Sequence, residues 1–226
     1  MSANIFSEAD KEILDRRGTI VEHLACLVSS DGLITDRDEC RAYETDALAV
    51  YRRIPLAVVL PTSTDEVSAV LKFCHDNGVK VVPRGAGTSL AGGAIPTEDA
   101  IVLGLSRMSR VLEINYDDRF IRVEAGVTNL SITSAVSDRG FFYAPDPSSQ
   151  LACTIGGNIA NNSGGAHCLK YGVTTNNLLG IRLVLIDGAI LDLGGNILDS
   201  GGLDLLGVVV GSEGQLWIVT EATVRI

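Results

Sequence analysis

The stretch from Pro83 to Ala94 reads Pro-Arg-Gly-Ala-Gly-Thr-Ser-Leu-Ala-Gly-Gly-Ala. It carries glycines at Gly85, Gly87, Gly92 and Gly93, hydroxyls at Thr88 and Ser89, one guanidinium at Arg84, and neither Asp nor Glu. Glycine lacks a Cβ and reaches positive φ, so successive backbone N–H groups can turn toward one point and approach a ligand closely. A concave row of such donors suits an anion, most often a phosphate. A carboxylate within the row would repel that anion. Two commoner phosphate loops are excluded by spacing. A nucleotide P-loop needs Lys directly after a glycine, and none follows here. The dinucleotide fingerprint G-x-G-x-x-G fails at its third glycine position, which is Leu90. The remaining pattern is either a phosphate cradle of another kind or a glycine-rich turn between strands.

Two further stretches have ligand-binding chemistry. Tyr143 to Gly172 contains Pro145-Asp146-Pro147-Ser148-Ser149, then Thr154-Ile155-Gly156-Gly157-Asn158, then Asn161-Asn162-Ser163-Gly164-Gly165, and ends on Lys170-Tyr171-Gly172. Prolines make a stiff approach. The Asn side chains offer donors and acceptors together, which a heteroaromatic ring with carbonyls and ring nitrogens requires. The same residues also suit a glycine-rich helix start with Asn turns. Gly211-Ser212-Glu213-Gly214 is a turn leading to Trp217-Ile218-Val219-Thr220-Glu221. Trp217 is the single tryptophan. It either fills the core, as large aromatics usually do, or faces a ligand.

Other catalytic devices are not readable. His23 and His75 fall on expected helices. His167 follows the Gly164-Gly165 pair but has no visible partner in sequence, so it is a weak catalytic candidate. The five cysteines, Cys26, Cys40, Cys74, Cys153 and Cys168, include no C-x-x-C pair. A disulfide scaffold, a zinc finger and a cysteine-held iron–sulfur cluster are therefore poorly supported, and a reducing cytoplasm is the simplest compartment. No metal ligand set and no Ser/His/Asp arrangement stands out.

The elements that must position these loops follow from periodicity. Ser7 and Asp10 read as an N-cap with an acidic first turn, opening a helix to about Leu27 that Gly18 weakens. Asp31 to Tyr43 fits no element clearly. Leu56 to Leu60 reads as a buried strand. Thr62, Ser63 or Thr64 caps a helix with Val67, Val70, Leu71 and Cys74 on one face, closed by Asn77-Gly78. Val79 to Val82 is the strand that delivers the glycine loop. Ala100 to Leu105 is a strand, and Val111–Asn115 with Phe120–Glu124 forms a hairpin around Asp117-Asp118. Thr128 caps a helix to about Ser137. Leu178–Ile186 and Ala189–Leu193 flank the hairpin dipeptide Asp187-Gly188. Asp204–Val209 is a short helix, and Gln215–Ile226 a strand. The fold class is α+β: a small strand–helix–strand lobe, then a larger strand-rich lobe.

Composition bounds the partners. The chain has 226 residues with 46% hydrophobic and 20% charged residues, ordinary for a folded protein with a sizeable core. Its formal net charge of -10 argues against nucleic acid, whose phosphates call for clustered Lys and Arg. No apolar run reaches membrane-span length, and Met1 to Lys11 is polar and acidic, unlike a signal peptide.

Taken together, the three loops resemble the FAD-binding domain (PCMH-type) of the vanillyl-alcohol oxidase superfamily. The resemblance is strongest to its group of glycolate oxidase flavin-binding subunits and D-lactate and D-2-hydroxyglutarate dehydrogenases. It rests on Pro83 to Ala94, Tyr143 to Ser149, Ile155 to Asn158 with Gly164-Gly165, His167 to Gly172, and Gly211 to Gly214 with Val219-Thr220-Glu221. It extends from about Thr35 to the last residue, with the segment 1–50 as an N-terminal helical extension. The domain would cover 51–226, in lobes of about 51–105 and 106–226.

The resemblance implies noncovalent FAD, because Thr88 stands where some relatives carry a flavin-linked His. It implies that Arg84, Gly85, Ala86, Gly87, Thr88, Ser89, Gly92 and Gly93 wrap the pyrophosphate. Pro145, Asp146, Ser148, Ser149, Thr154, Gly156 and Gly157 would line the flavin and ribityl chain. Asn162, Ser163 and Gly164 would lie near the isoalloxazine, with Asn158 and Tyr171 also binding the cofactor. Glu213, Gly214, Ile218 and Val219 would run beside the adenosine or ribityl portion. Family members usually have Gly at the position of Trp217. The activity implied is hydride transfer from a small 2-hydroxy acid, of glycolate or D-lactate type, to flavin N5. A D-2-hydroxyglutarate-type substrate and a non-catalytic FAD-holding or assembly module are the alternatives. Implied partners are iron–sulfur redox subunits, through which a cytoplasmic protein would sit peripherally at the inner membrane. Related enzymes continue beyond the position of Ile226 into a domain that caps the flavin and carries the substrate contacts and, in many, a metal site and the base. The resemblance therefore implies a truncated piece or a naturally short cofactor-binding subunit.

Overall fold

The structure, a computed structural model, describes residues 8–195 and 202–226. The chain begins with two short helices, α1 (Lys11–Asp15) and α2 (Arg17–Leu27), where periodicity predicts one. The break falls at Arg16, whose φ of -90° and ψ of 3° leave the helical well. Its guanidinium reaches across to Asn77, with Nη2 3.1 Å from Oδ1. The N-cap is Asp10, whose carboxylate accepts from Glu12 N–H; the expected cap at Ser7 lies outside the described residues. The unassigned stretch after α2 contains β1 (Leu33–Ile34) and the single-turn helix α3 (Arg37–Cys40).

The first sheet is ordered β1, β2 (Ala57–Val59), β4 (Ala100–Gly104), β3 (Lys80–Arg84). Strands β2, β4 and β3 run parallel, and β1 is antiparallel to β2. Parallel strands need a crossover, supplied by α4 (Thr64–Asn77) between β2 and β3. Of the three candidate caps, Ser63 is used: its hydroxyl accepts from Glu66 N–H, while Glu66 Oε2 accepts from Thr62 N–H at 2.6 Å. Gly78 closes the helix at φ 68°, a left-handed position that favours glycine. Strand β3 runs further than its apolar residues suggest, through Pro83 and Arg84, so the glycine loop leaves directly from the sheet.

The second sheet is antiparallel throughout, ordered β5 (Val111–Asn115), β6 (Phe120–Glu124), β9 (Ile218–Arg225), β7 (Leu178–Val184), β8 (Ile190–Gly194). Both predicted hairpins are present. One core gathers Ile20, Leu24, Val67, Val70, Leu71, Ile101 and Leu103 with Val184 and Ile218 of the second sheet. The other packs α5 (Asn129–Val136) and α6 (Ile155–Asn161) on β6, β7 and β9. Helix α4 joins the two sheets through polar contacts as well. Thr64 and Thr220 hydroxyls are 3.0 Å apart, and Ser68 Oγ donates to Gly188 O at 2.6 Å. The structure is thus α+β with helices between and beside two sheets, as the sequence leads one to expect.

Asp99, fully buried at the start of β4, fastens the N-terminal helices to this frame. Its Oδ2 accepts from Asp10 N–H at 2.9 Å and from Lys80 Nζ at 2.7 Å. Burial pushes its carboxyl up, but hydrogen bonds from Lys80, Thr97 and backbone N–H groups outweigh burial and hold it at about 2. A carboxyl depressed on folding stabilises the protein above its unfolded value and loses that contribution as pH falls through the folded one. Asp99→Asn should therefore lose about 2 kcal/mol near neutrality. The wild-type advantage should vanish between about pH 4 and pH 2. Urea denaturation of both proteins across that range checks this; equal stability at pH 7 would contradict it.

Candidate functional site

The glycine loop leaves β3 at the end of the first sheet and is held from beneath by a segment absent from the sequence-based reading, Tyr43 to Leu48. Ala47 N–H donates to Gly87 O at 3.0 Å and Ser89 O at 3.2 Å. Asp46, 5% exposed, accepts from Leu48 N–H with Oδ1 and from Gly92 N–H with Oδ2, at 3.0 and 2.9 Å. The Arg84 guanidinium donates to Thr45 O at 2.7 Å and sits 5.6 Å from the Tyr43 ring centre. It occupies the space into which a Cβ at Gly87 would project, and Gly87 itself has a φ of 70°. Desolvation lowers the Arg84 pKa, with Tyr43 and Asp46 acting in the opposite direction. Arg84 therefore supports the loop from below, with its Nη1 donating to Thr45 O and Ala94 O.

The consequence is a row of free amides. Among the described residues, the backbone N–H groups of Gly85 to Leu90 donate to no protein acceptor, while those of Ala91 and Gly92 are bonded to Ser89 Oγ and Asp46. Ala86 and Leu90 are exposed and the others half-buried, so these donors are open to solvent or to a ligand.

The second wall is α6. Its N-cap is Thr154, whose Oγ1 accepts from Gly157 N–H. Gly156 has a packing reason: a Cβ there would stand 3.0 Å from Ala125 Cβ and 3.1 Å from Ala125 O. Gly85 meets the same turn, for a Cβ there would strike Thr154 Oγ1 at 2.5 Å. The glycine loop and α6 are thus in contact, and Ser89 Oγ lies 3.5 Å from Asn161 Oδ1. The third wall is the Gly-Ser-Glu-Gly turn. Gly211 and Glu213 N–H groups donate to Ile159 O and Ala160 O of α6 at 2.9 and 2.8 Å. A Cβ at Gly214 would stand 2.8 Å from Pro83 Cγ.

These walls enclose a cavity of about 230 Å³. Of the residues singled out in the sequence, Arg84, Gly85, Ala86, Gly87, Thr88, Ser89 and Gly93 line it on the loop side. Ser149, Thr154, Gly156, Gly157, Asn158 and Ser163 line it on the helix side, and Glu213, Gly214, Ile218 and Val219 on the third. The others stand behind the wall. Gly92 is turned to Asp46. Pro145 O accepts from Asn129 Nδ2, and Ser148 is exposed. Asp146 accepts from His167 N–H at 2.9 Å and lies 3.2 Å from His167 Nδ1. Asn162 is the left-handed cap of α6, with its side-chain oxygen taken by Thr175 N–H. Gly164 packs on Cys168 and Val173, and Tyr171 stacks edge-on with Phe142.

The sequence missed several wall residues, among them Leu105, Ala125, Cys153, Asn161 and Val209. Asn161 lay within a quoted Asn-rich run; the apolar ones had no signal beyond hydrophobicity. Trp217 lines the cavity while its ring packs on the second core, which joins the two alternatives read from the sequence. Two buried side-chain donors of this wall have no partner among the described residues, Asn158 Nδ2 and Trp217 Nε1. No group of three or more His, Cys, Asp or Glu side chains converges on a metal position among the described residues.

Free loop amides and unpaired donors of a polar helix wall suit a ligand that is anionic in the middle and acceptor-rich at its ends. Fold and groove together define a nucleotide-cofactor-binding domain. Comparison with known proteins makes this specific. Residues 55–194 match the family described as FAD binding domain, so the chain belongs to that family, whose cofactor is FAD. It is 51% identical over 189 residues to "Glycolate oxidase subunit GlcD" of Escherichia coli K12, covering 84% of this chain and 38% of that protein. It is 42% identical over 191 residues to "D-lactate dehydrogenase" of Archaeoglobus fulgidus, covering 84% of this chain and 43% of that one. The chain thus spans about two-fifths of the length of these relatives. A solved alkyldihydroxyacetonephosphate synthase superposes over the whole chain and 42% of its own, with a TM-score of 0.84 at 24% identity, which establishes the shared fold. The resemblance drawn from the loops holds at the level of family, fold and cofactor.

Asp46 offers a direct check on the loop's support. Asp46→Ala removes the acceptor of the half-buried Leu48 and Gly92 N–H groups, a loss of about 1 kcal/mol. Urea unfolding should show it, and the Gly92 amide should exchange with solvent markedly faster than in the wild type. Unchanged exchange would mean that the loop holds its shape without this floor.

Proposed function

We propose that this chain binds FAD noncovalently and presents it for oxidation of a small 2-hydroxy acid of glycolate or D-lactate type. The observation that carries the reading is the undonated amide row from Gly85 to Ser89 on a cavity shared with α6. A dianionic pyrophosphate supplies the acceptors such a row lacks. Gly85, Ala86, Gly87, Thr88, Ser89 and Gly93 hold that bridge, and Gly92 and Arg84 fix the loop from behind. Ser149, Thr154, Gly156 and Gly157 line the ribityl and flavin path, stiffened by Pro145 and Ser148. Asn158 and Ser163 meet the isoalloxazine, with Asp146, Asn162, Gly164 and Tyr171 as supports. Glu213, Gly214, Ile218 and Val219 follow the adenosine side. Thr88 offers no nitrogen nucleophile for a flavin link, which supports noncovalent binding.

FAD supplies the hydride acceptor for the substrate Cα–H. This chain's residues bind and orient it; none of them is assigned as the base that takes the hydroxyl proton. The substrate class is supported by the relatives' names, glycolate oxidase subunit and D-lactate dehydrogenase. D-2-hydroxyglutarate is a further candidate, since a rice relative at 32% identity is named a probable dehydrogenase of that acid. The word subunit in the first name supports redox partner chains, of iron–sulfur type in our reading, with a cytoplasmic protein held at the inner membrane through them. No helix among the described residues is long and apolar enough to cross a membrane. We divide the chain into an N-terminal helical segment, 1–50, and one FAD domain, 51–226, with lobes of about 51–105 and 106–226.

The purified chain should show the visible flavin band. Gly87→Leu forces a side chain into the Arg84 guanidinium at a positive φ, and the folded variant should lose the band by at least about tenfold in retained FAD. Normal flavin content in folded Gly87→Leu would refute the loop's role. Bleaching of the FAD-loaded chain by glycolate or D-lactate in a dye-reduction assay supports the oxidoreductase reading. Failure of both acids, with FAD retained, points to the FAD-holding module.

A further inference from the structure

The segment that leaves α6 is fastened from behind, by residues that do not line the cavity. Ser163 lines it, and the Ser163 hydroxyl has no protein partner among the described residues. Its carbonyl accepts twice from Thr174, from the hydroxyl at 2.7 Å and from the backbone N–H at 3.0 Å. Its N–H donates to Asn158 O at 2.9 Å. On one side of it, Asn162 Oδ1 accepts from Thr175 N–H at 3.1 Å. On the other, a Cβ at Gly164 would stand 2.9 Å from Val173 Cγ1. Residues 173–175 thus grip residues 162–164 at successive positions.

Thr174 is fully buried and lies outside the cavity lining. Its bulk alone does not call for a hydroxyl, since Val has nearly the same shape. Nor does the Ser163 carbonyl need a second donor to be satisfied, because the Thr174 N–H already bonds it. What the hydroxyl adds is direction. Two donors from one residue fix the orientation of that carbonyl, and with it the peptide that carries the Ser163 side chain. The glycine loop is held by the same device, through carbonyls bonded on the side away from the cavity.

Resting on the FAD reading above, we propose that Thr174 is a positioning residue: by fixing the Ser163 carbonyl from behind, it sets where Ser163 meets the isoalloxazine. The visible band of bound flavin reports on the surroundings of that ring, which a purely structural role would leave unchanged. The test strips wild type, Thr174→Val, Thr174→Ser and Ile132→Val of flavin and titrates each with FAD, recording affinity and the band of the bound flavin. Thr174→Val keeps the shape and the N–H bond to Ser163 O. It should fold, bind FAD about fivefold more weakly, the size of one neutral hydrogen bond, and shift the band. Thr174→Ser keeps the hydroxyl and should restore both. Ile132→Val thins the second core away from the cavity lining, so it should lower stability and leave the band as in wild type.

A folded Thr174→Val protein with the wild-type band overturns the proposal, whatever its affinity. So does a Thr174→Ser protein that fails to restore the band, or an Ile132→Val protein that shifts it in the same way. If Thr174→Val does not fold, Thr174→Ala, which also lacks the hydroxyl, is judged by the same band. If wild type binds FAD and the variants match it, the Thr174 assignment fails alone. If wild type binds no FAD, the FAD reading fails and the assignment fails with it.

Discussion

The structure depends on keeping a stretch of backbone away from itself. From Gly85 to Leu90 the chain makes no hydrogen bond with its own N–H groups among the described residues. A loop so placed gains stability from any fold-back that pairs those donors. What resists fold-back is the carbonyl side. Gly87 O and Ser89 O are both taken by Ala47 N–H, and Gly92 N–H by Asp46. The Arg84 guanidinium fills the space below Gly87. With its carbonyls anchored downward, the loop has its donors left for the cavity. Preorganisation of this kind moves the ordering cost from binding to folding.

The same division of labour explains the glycines. At Gly85 and Gly156 a side chain would collide with Thr154 or Ala125, so these residues set how closely the glycine loop, β6 and α6 approach one another. At Gly87 the requirement is a positive φ over a guanidinium. The cavity exists because α4 and the shared core hold the two sheets together while the three loops converge between them. The turn at Gly211 to Gly214 is bound to the end of α6 by Gly211 and Glu213 N–H groups, so two of the walls are one hydrogen-bonded unit.

Much of this was legible in the residues. Both hairpins, the α4 helix with its buried face and Gly78 close, and the loop-bearing strand follow from local pattern alone. The three ligand stretches were identifiable from their clustered glycines and asparagines in this order, although each stretch alone also suits an ordinary turn. The floor was not. Asp46 is an acidic residue in a stretch with no period, and its function comes from a partner 46 positions away. An Asx turn to Leu48 was the local signal available, and such turns are common. Likewise the sequence does not show that Asn162 caps α6 at a φ of 48°. Sequence gives the type of a polar side chain; which neighbour satisfies it is decided by topology.

Charge completes the argument. The chain carries a net charge of -10, yet the cavity suits a doubly negative bridge. Arg84 is the cationic side chain in the wall, and its strongest bond is to Thr45 O, with Asp46 close enough to bear on its charge. On the FAD reading proposed above, such an anion would be met chiefly by oriented amide dipoles. These lose little on desolvation compared with an ammonium or guanidinium brought out of water. Local dipoles fixed by the fold act at hydrogen-bond range, where the diffuse repulsion of a surface charge is screened within about 8–10 Å at moderate salt. An acidic protein can bind an acidic cofactor on those terms, provided the backbone is held open beforehand. Holding it open is the function of the Tyr43 to Leu48 floor and of Arg84.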